Sequence, residues 1–81
     1  MTEIAEKIIN IVNKNAKYED DISMDTMLVE DMGFTSIDLV EVVYDIELEF
    51  GITLELYELE FDKINLVGNL VELIERKVSA V

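Results

Sequence analysis

Apolar residues recur at helical spacing in three stretches of the chain. In residues 3–14, Ile4, Ile8, Ile11 and Val12 share one face, Thr2 is available as an N-cap, and Glu3 and Glu6 lie in the first turn, where the helix dipole favours acids. The spacing predicts a first helix there. Residues 36–50 are the most regular segment. At about 100° per residue, Leu39, Val43, Ile46 and Phe50 fall in one narrow sector, and Asp38, Glu41, Asp45 and Glu49 fall in another about a quarter-turn away. A third group, Ile37, Tyr44 and Leu48, lies away from both and either packs under a loop or stays exposed. Gly51 follows Phe50 as a C-terminal stop. The last helix is predicted over 66–79, with Leu66, Leu70, Leu73 or Ile74, and Val78 inward, Asn65 as N-cap, and Arg76 and Lys77 in the final turn.

Between the first two helices, residues 15–35 are largely polar, with isolated apolar positions. Loops this long in small domains are functional or anchored by their own side chains. Ile22 and Leu28 are the expected pins. In residues 52–64, the alternation Leu54-Glu55-Leu56 would suit a strand, but a lone strand has no partner. A short third helix over 56–62 fits better. The pattern predicts an all-α fold: a small up-down bundle of three main helices plus one short helix, with a long loop between the first two, and residues 1–81 as a single domain.

Composition narrows the chemistry. Pro, Cys, His and Trp are all absent. Without thiol or imidazole the chain can build no disulfide, no Cys/His metal site and no Ser–His or Cys–His nucleophile pair, so it is not expected to be an enzyme. Nineteen acids against six bases leave a formal charge of −13, which repels nucleic acid and favours a basic protein partner. An apolar fraction of 51% sets the chain apart from acidic disordered segments. No apolar run approaches the 18 or so residues of a spanning helix, and the first residues lack a secretory h-region, so the expected location is cytoplasmic, with no membrane partner. The 13–25 stretch lacks the ordered oxygen ligands and mid-loop glycine of an EF-hand.

The segment richest in chemical information is Glu30-Asp31-Met32-Gly33-Phe34-Thr35-Ser36-Ile37-Asp38-Leu39-Val40-Glu41. Thr35 with Asp38 three residues on forms a capping-box pair, making Thr35 the N-cap and Ser36 the first helical residue. The Ser36 hydroxyl is then spared from capping and faces solvent. A phosphate ester there would sit by unsatisfied N–H groups at the positive end of the helix.

At these residues the sequence resembles the acyl carrier protein family, whose signature Gly-x-Asp-Ser-Leu stands here as Gly33-Phe34-Thr35-Ser36-Ile37. Glu30-Asp31 before the glycine, Asp38-x-x-Glu41 after the serine and Glu49-Phe50-Gly51-Ile52 at the helix end match at family spacing, and the resemblance spans nearly the whole chain. It implies that Ser36 accepts a covalent 4′-phosphopantetheine from coenzyme A, attached by a phosphopantetheinyl transferase. Acyl intermediates would ride on its thiol as thioesters for enzymes of fatty-acid or polyketide-type biosynthesis, with the cofactor supplying the sulfur that the chain lacks.

The sequence departs from the family pattern in three places. Thr35 replaces the usual Asp, Ile37 replaces the usual Leu, and Glu55-Leu56-Tyr57 follows Leu54 where many members have Pro. These departures favour a specialised pathway over the housekeeping one.

The acidic strip of Asp38, Glu41 and Asp45, with Ile37 and Tyr44 as its apolar centre, is the expected docking footprint for acyltransferases, ketosynthases or similar enzymes with basic patches. The chain is expected to be monomeric. Val43, Ile46, Leu59, Ile64 and Leu70 could line a cavity for the cargo, although aliphatic residues at such spacing are ordinarily plain core. Two alternatives stand beside the acyl carrier: an aminoacyl or peptidyl carrier, and an unmodified acidic helical adaptor.

Overall fold

The helices expected from the spacing form, and their ends follow from local chemistry. The computed structural model describes residues 2–18 and 21–80. Helix α1 spans Glu3–Asn15, α2 Ser36–Phe50, α3 Phe61–Ile64 and α4 Val67–Ser79, with a 3₁₀ turn at Leu56–Glu58. There is no strand among the described residues, only an isolated antiparallel bridge between Met27 and Leu66. No described helix is long and apolar enough to cross a membrane.

Helix α1 packs against α2 and α4, and α3 packs against α4. Ile8 and Val12 of α1, Val42 and Ile46 of α2, and Leu70 and Ile74 of α4 are fully buried where these helices meet. Each contributes about 1.5–3 kcal/mol of burial. On α2 the buried pair is Val42 and Ile46, while Leu39, Val43 and Phe50, expected in the core stripe, are half-buried. The sector facing α1 is rotated toward Val42, and Leu39 and Val43 are left at its margin. The third group stays exposed: Ile37, Tyr44 and Leu48 remain largely in solvent.

The loop is anchored as expected at Leu28, which is fully buried, and Phe34 joins it in the core, whereas Ile22 is only half-buried. Gly33 lets the chain turn between them with φ +70°, a conformation that a Cβ disfavours.

Two expectations need correction. Asn65 does not cap α4. The N-cap position is Leu66, and the first free N–H groups of the helix are satisfied by loop carbonyls instead: Val67 donates to Thr26 at 3.0 Å and Gly68 to Met24 at 2.9 Å. A Cβ on Gly68 would lie 3.0 Å from that Met24 oxygen, so glycine permits the close approach. Asn65 is thereby freed and buried at 5% exposure. Its Oδ1 accepts from the Val29 N–H at 2.9 Å, its Nδ2 donates to Glu30 Oε1 at 2.7 Å, and its carbonyl accepts from Leu28 at 2.8 Å.

The expected single helix over 56–62 is two pieces. Glu60 is extended (φ −62°, ψ 143°) and separates the 3₁₀ turn from α3. The break follows from the way Glu58 is held: its carboxylate is drawn back to the Glu55 N–H at 2.8 Å and outward to Lys77 of α4 at 2.7 Å, which closes the first turn on itself.

Candidate functional site

Helix α2 begins with a complete capping box. Thr35 Oγ1 accepts from the Asp38 N–H at 3.2 Å, and Asp38 Oδ2 accepts from the Thr35 N–H at 2.8 Å and from the Thr35 hydroxyl at 3.1 Å. A threonine cap of this kind contributes about 1 kcal/mol. Because Thr35 takes the capping role, Ser36 is the first helical residue, it is exposed, and its hydroxyl makes no hydrogen bond to another described residue. The free N–H groups and positive dipole end of a 15-residue helix lie beside it.

Hydrogen bonding from the Thr35 backbone N–H, and secondarily from its hydroxyl, holds the Asp38 carboxyl below its ordinary value of 3.8, with the Lys17 charge adding to the effect. A carboxyl depressed in the folded state stabilises it above the unfolded pKa and loses that contribution as pH falls through the folded one. Acidification below about pH 4 should therefore loosen this helix start. Side-chain ¹³C titration should give Asp38 a midpoint under 3.8, with the Thr35 amide losing exchange protection over the same range. An Asp38 midpoint at or above the ordinary value would contradict the capping geometry.

Next to Ser36 lies a partly open cavity of about 250 Å³, lined by Ser36, Leu39, Val40, Val43, Leu59 and Ile64. Ser36 is its one polar lining residue, and apolar cavities of about 150 Å³ already admit benzene. Of the cavity residues suggested by the sequence, Val43, Leu59 and Ile64 line it, whereas Ile46 and Leu70 are plain core.

The outer face of α2 presents Ile37 at 72%, Val40 at 67%, Tyr44 at 59% and Leu48 at 65% exposure. Val40 escaped the sequence reading. Its position, three residues after Ile37 and four before Tyr44, is the signal that would have found it.

The acidic strip is less free than its spacing suggests. Asp38 is occupied in the cap, Asp45 accepts from Asn15 Nδ2 at 3.1 Å and lies 3.7 Å from Lys14, and Glu49 lies 3.8 Å from Lys7. Asp45 and Glu49 thus help tie α2 to α1. Glu41 remains exposed beside the apolar residues.

Residues 6–74 match the family model for the phosphopantetheine attachment site, a span that includes Ser36, the cavity lining and the outer face of α2. The chain is 36% identical to the acyl carrier protein of Thermotoga maritima over 77 residues, covering 94% of this chain and 93% of that protein. It is 35% identical to the acyl carrier protein of Petrotoga mobilis over 78 residues (95% and 89%) and 31% identical to that of Amoebophilus asiaticus over 80 residues (98% of each). An exposed, unbonded hydroxyl at a helix N-terminus with an apolar cavity beside it fits such a group. The chain belongs to the acyl carrier protein family, whose members are carriers, not enzymes, and bear a covalently attached 4′-phosphopantetheine.

Proposed function

We propose that Ser36 is the attachment residue and that the chain presents aliphatic acyl thioesters to a series of biosynthetic enzymes. The observation that carries this reading is the joint placement of the Ser36 hydroxyl and the apolar cavity. In the attachment step the Ser36 Oγ–phosphorus bond forms as the pyrophosphate bond of coenzyme A breaks. The adenosine 3′,5′-bisphosphate portion leaves, and the hydroxyl proton passes to a base of the transferase. The arm, once attached, supplies the thiol that carries the cargo. The chain's own contribution is to hold the phosphodiester at the N-terminus of α2 and to offer the cargo a dry wall of Leu39, Val43, Leu59 and Ile64.

The wall favours aliphatic cargo over the aminoacyl or peptidyl alternative, since a charged amino group in an apolar cavity would lose its hydration without a partner. Incubation with coenzyme A and a promiscuous transferase tests the attachment. Intact mass should rise by one phosphopantetheinyl group, and peptide mapping should locate it at Ser36. Failure with several transferases would favour the unmodified adaptor.

Partner enzymes are read as basic at the rim and apolar at the centre of their docking site, facing Glu41 and the Ile37, Val40, Tyr44 and Leu48 face. Exposed aromatic anchors dominate interfaces of this kind, so Tyr44→Ala should weaken a partner complex about tenfold, mainly through faster dissociation. Glu41→Gln should instead slow association and flatten its salt dependence. Surface plasmon resonance at two ionic strengths separates the two effects. Equal affinity for the Tyr44→Ala and parent chains would remove Tyr44 from the footprint.

A further inference from the structure

The two walls of the cavity are built differently. Leu39, Val40 and Val43 stand on a 15-residue helix packed against α1. Leu59 and Ile64 belong to residues 55–64, a single 3₁₀ turn followed by the four-residue α3. Ile64 is buried and Leu59 half-buried against the core, but the rest of the segment is bound to it loosely, with Leu56, Tyr57 and Phe61 exposed at 86%, 71% and 52%. Its principal packing partner is α4, and polar ties fasten it there: Lys77 Nζ donates to Glu58 Oε1 at 2.7 Å, and Asn69 Nδ2 donates to the Asp62 carbonyl at 2.9 Å.

The Glu58–Lys77 pair differs from the other ion pairs among the described residues. Those lie at 3.6–3.8 Å, beyond hydrogen-bond range, whereas Glu58 and Lys77 meet at 2.7 Å with side chains only 13% and 25% exposed. The oxygen that receives Lys77 also accepts the Glu55 N–H at 2.8 Å. One carboxylate therefore sets the shape of the turn and its distance from α4. Their hydrogen bond is the largest cause both of the lowered Glu58 pKa and of the raised Lys77 pKa.

We infer that the Glu58–Lys77 pair is a clasp that fixes the position of the Leu59–Ile64 wall and so limits the length of acyl chain that the cavity beside Ser36 can shelter. For its cargo the inference rests on the carrier reading, but the clasp itself can be tested on the unmodified chain. Lys77→Met keeps the aliphatic stem and removes the charge, Glu58→Gln weakens the pair from the other side, and Lys77→Arg preserves the ion pair.

In hydrogen exchange followed by NMR, the amides of Leu59, Lys63 and Asn65, which are bonded within the wall, should exchange about tenfold faster in Lys77→Met and Glu58→Gln. Core amides of α1 and α2 should hold their rates, and Lys77→Arg should restore the parent pattern. Titration of the unmodified proteins with dissolved pentane and octane, read at the Leu59 and Ile64 methyls, should show octane binding gained about fivefold over the parent in Lys77→Met, with pentane little changed. Unchanged exchange over residues 55–64, or faster exchange with an unaltered octane-to-pentane ratio, overturns the clasp. Neither readout passes through Ser36, so a failure of transferase loading bears only on the carrier reading.

Discussion

A Ser36→Ala chain should take up no phosphopantetheine from coenzyme A with any transferase that loads the parent, while its melting point should stay close to that of the parent. The chemical loss should be total, because the substitution deletes the attacking oxygen and the adjacent Thr35 hydroxyl is held within the capping box. Stability should change by no more than about 0.5 kcal/mol, since Ser36 is exposed, makes no hydrogen bond to a described residue and is not the cap. Intact mass and thermal denaturation together decide the matter. A mass increment that survives in Ser36→Ala would move the attachment elsewhere, and a large fall in melting point would mean that the serine serves the fold.

The largest effect on stability is expected at Asn65. Its side chain is buried and joins the loop to the junction between α3 and α4 through Val29 and Glu30, positions 36 and 35 residues away in sequence. Asn65→Ala removes both bonds, leaves the Val29 N–H without its acceptor and opens a small void. The combined cost is about 2–4 kcal/mol by the ordinary penalties for unpaired buried groups. A domain of this size has only about 4–12 kcal/mol in total, so the melting point should fall by about 10–25 °C. Asn65→Asp separates the two bonds. It keeps the acceptor for Val29 but sets a second carboxylate against Glu30, and it should destabilise more at neutral pH than near pH 4. Calorimetry across that range checks both variants, and a melting point within a few degrees of the parent for Asn65→Ala would refute the staple.

How much of this was legible in the sequence differs from element to element. Helices α1, α2 and α4 were visible because each carries its own 3.6-residue period and its own end signals, and the capping box at Thr35 and Asp38 fixed the start of α2 to the residue. The exposed character of Ser36 followed from that box alone. What escaped the sequence reading depends on partners distant along the chain. Asn65 reads as a cap for α4 until the Met24 and Thr26 carbonyls are seen to take that role, and the split at Glu60 depends on Lys77, nineteen residues beyond Glu58. Asp45 fell on the acidic strip by its spacing, but Asn15 and Lys14 on a neighbouring helix draw it inward. Local periodicity sees one helix at a time, and these groups are positioned by segments distant along the chain.

The identity of the cap has an electrostatic consequence for the arm. Thr35 secures α2 with a neutral hydroxyl where the family pattern places a carboxylate, so a phosphodiester at the proposed attachment residue, Ser36, would meet one anion fewer at its root. Relieved of that repulsion, such a phosphodiester would be drawn more strongly to the free N–H groups at the start of α2, and the arm would swing from a firmer pivot.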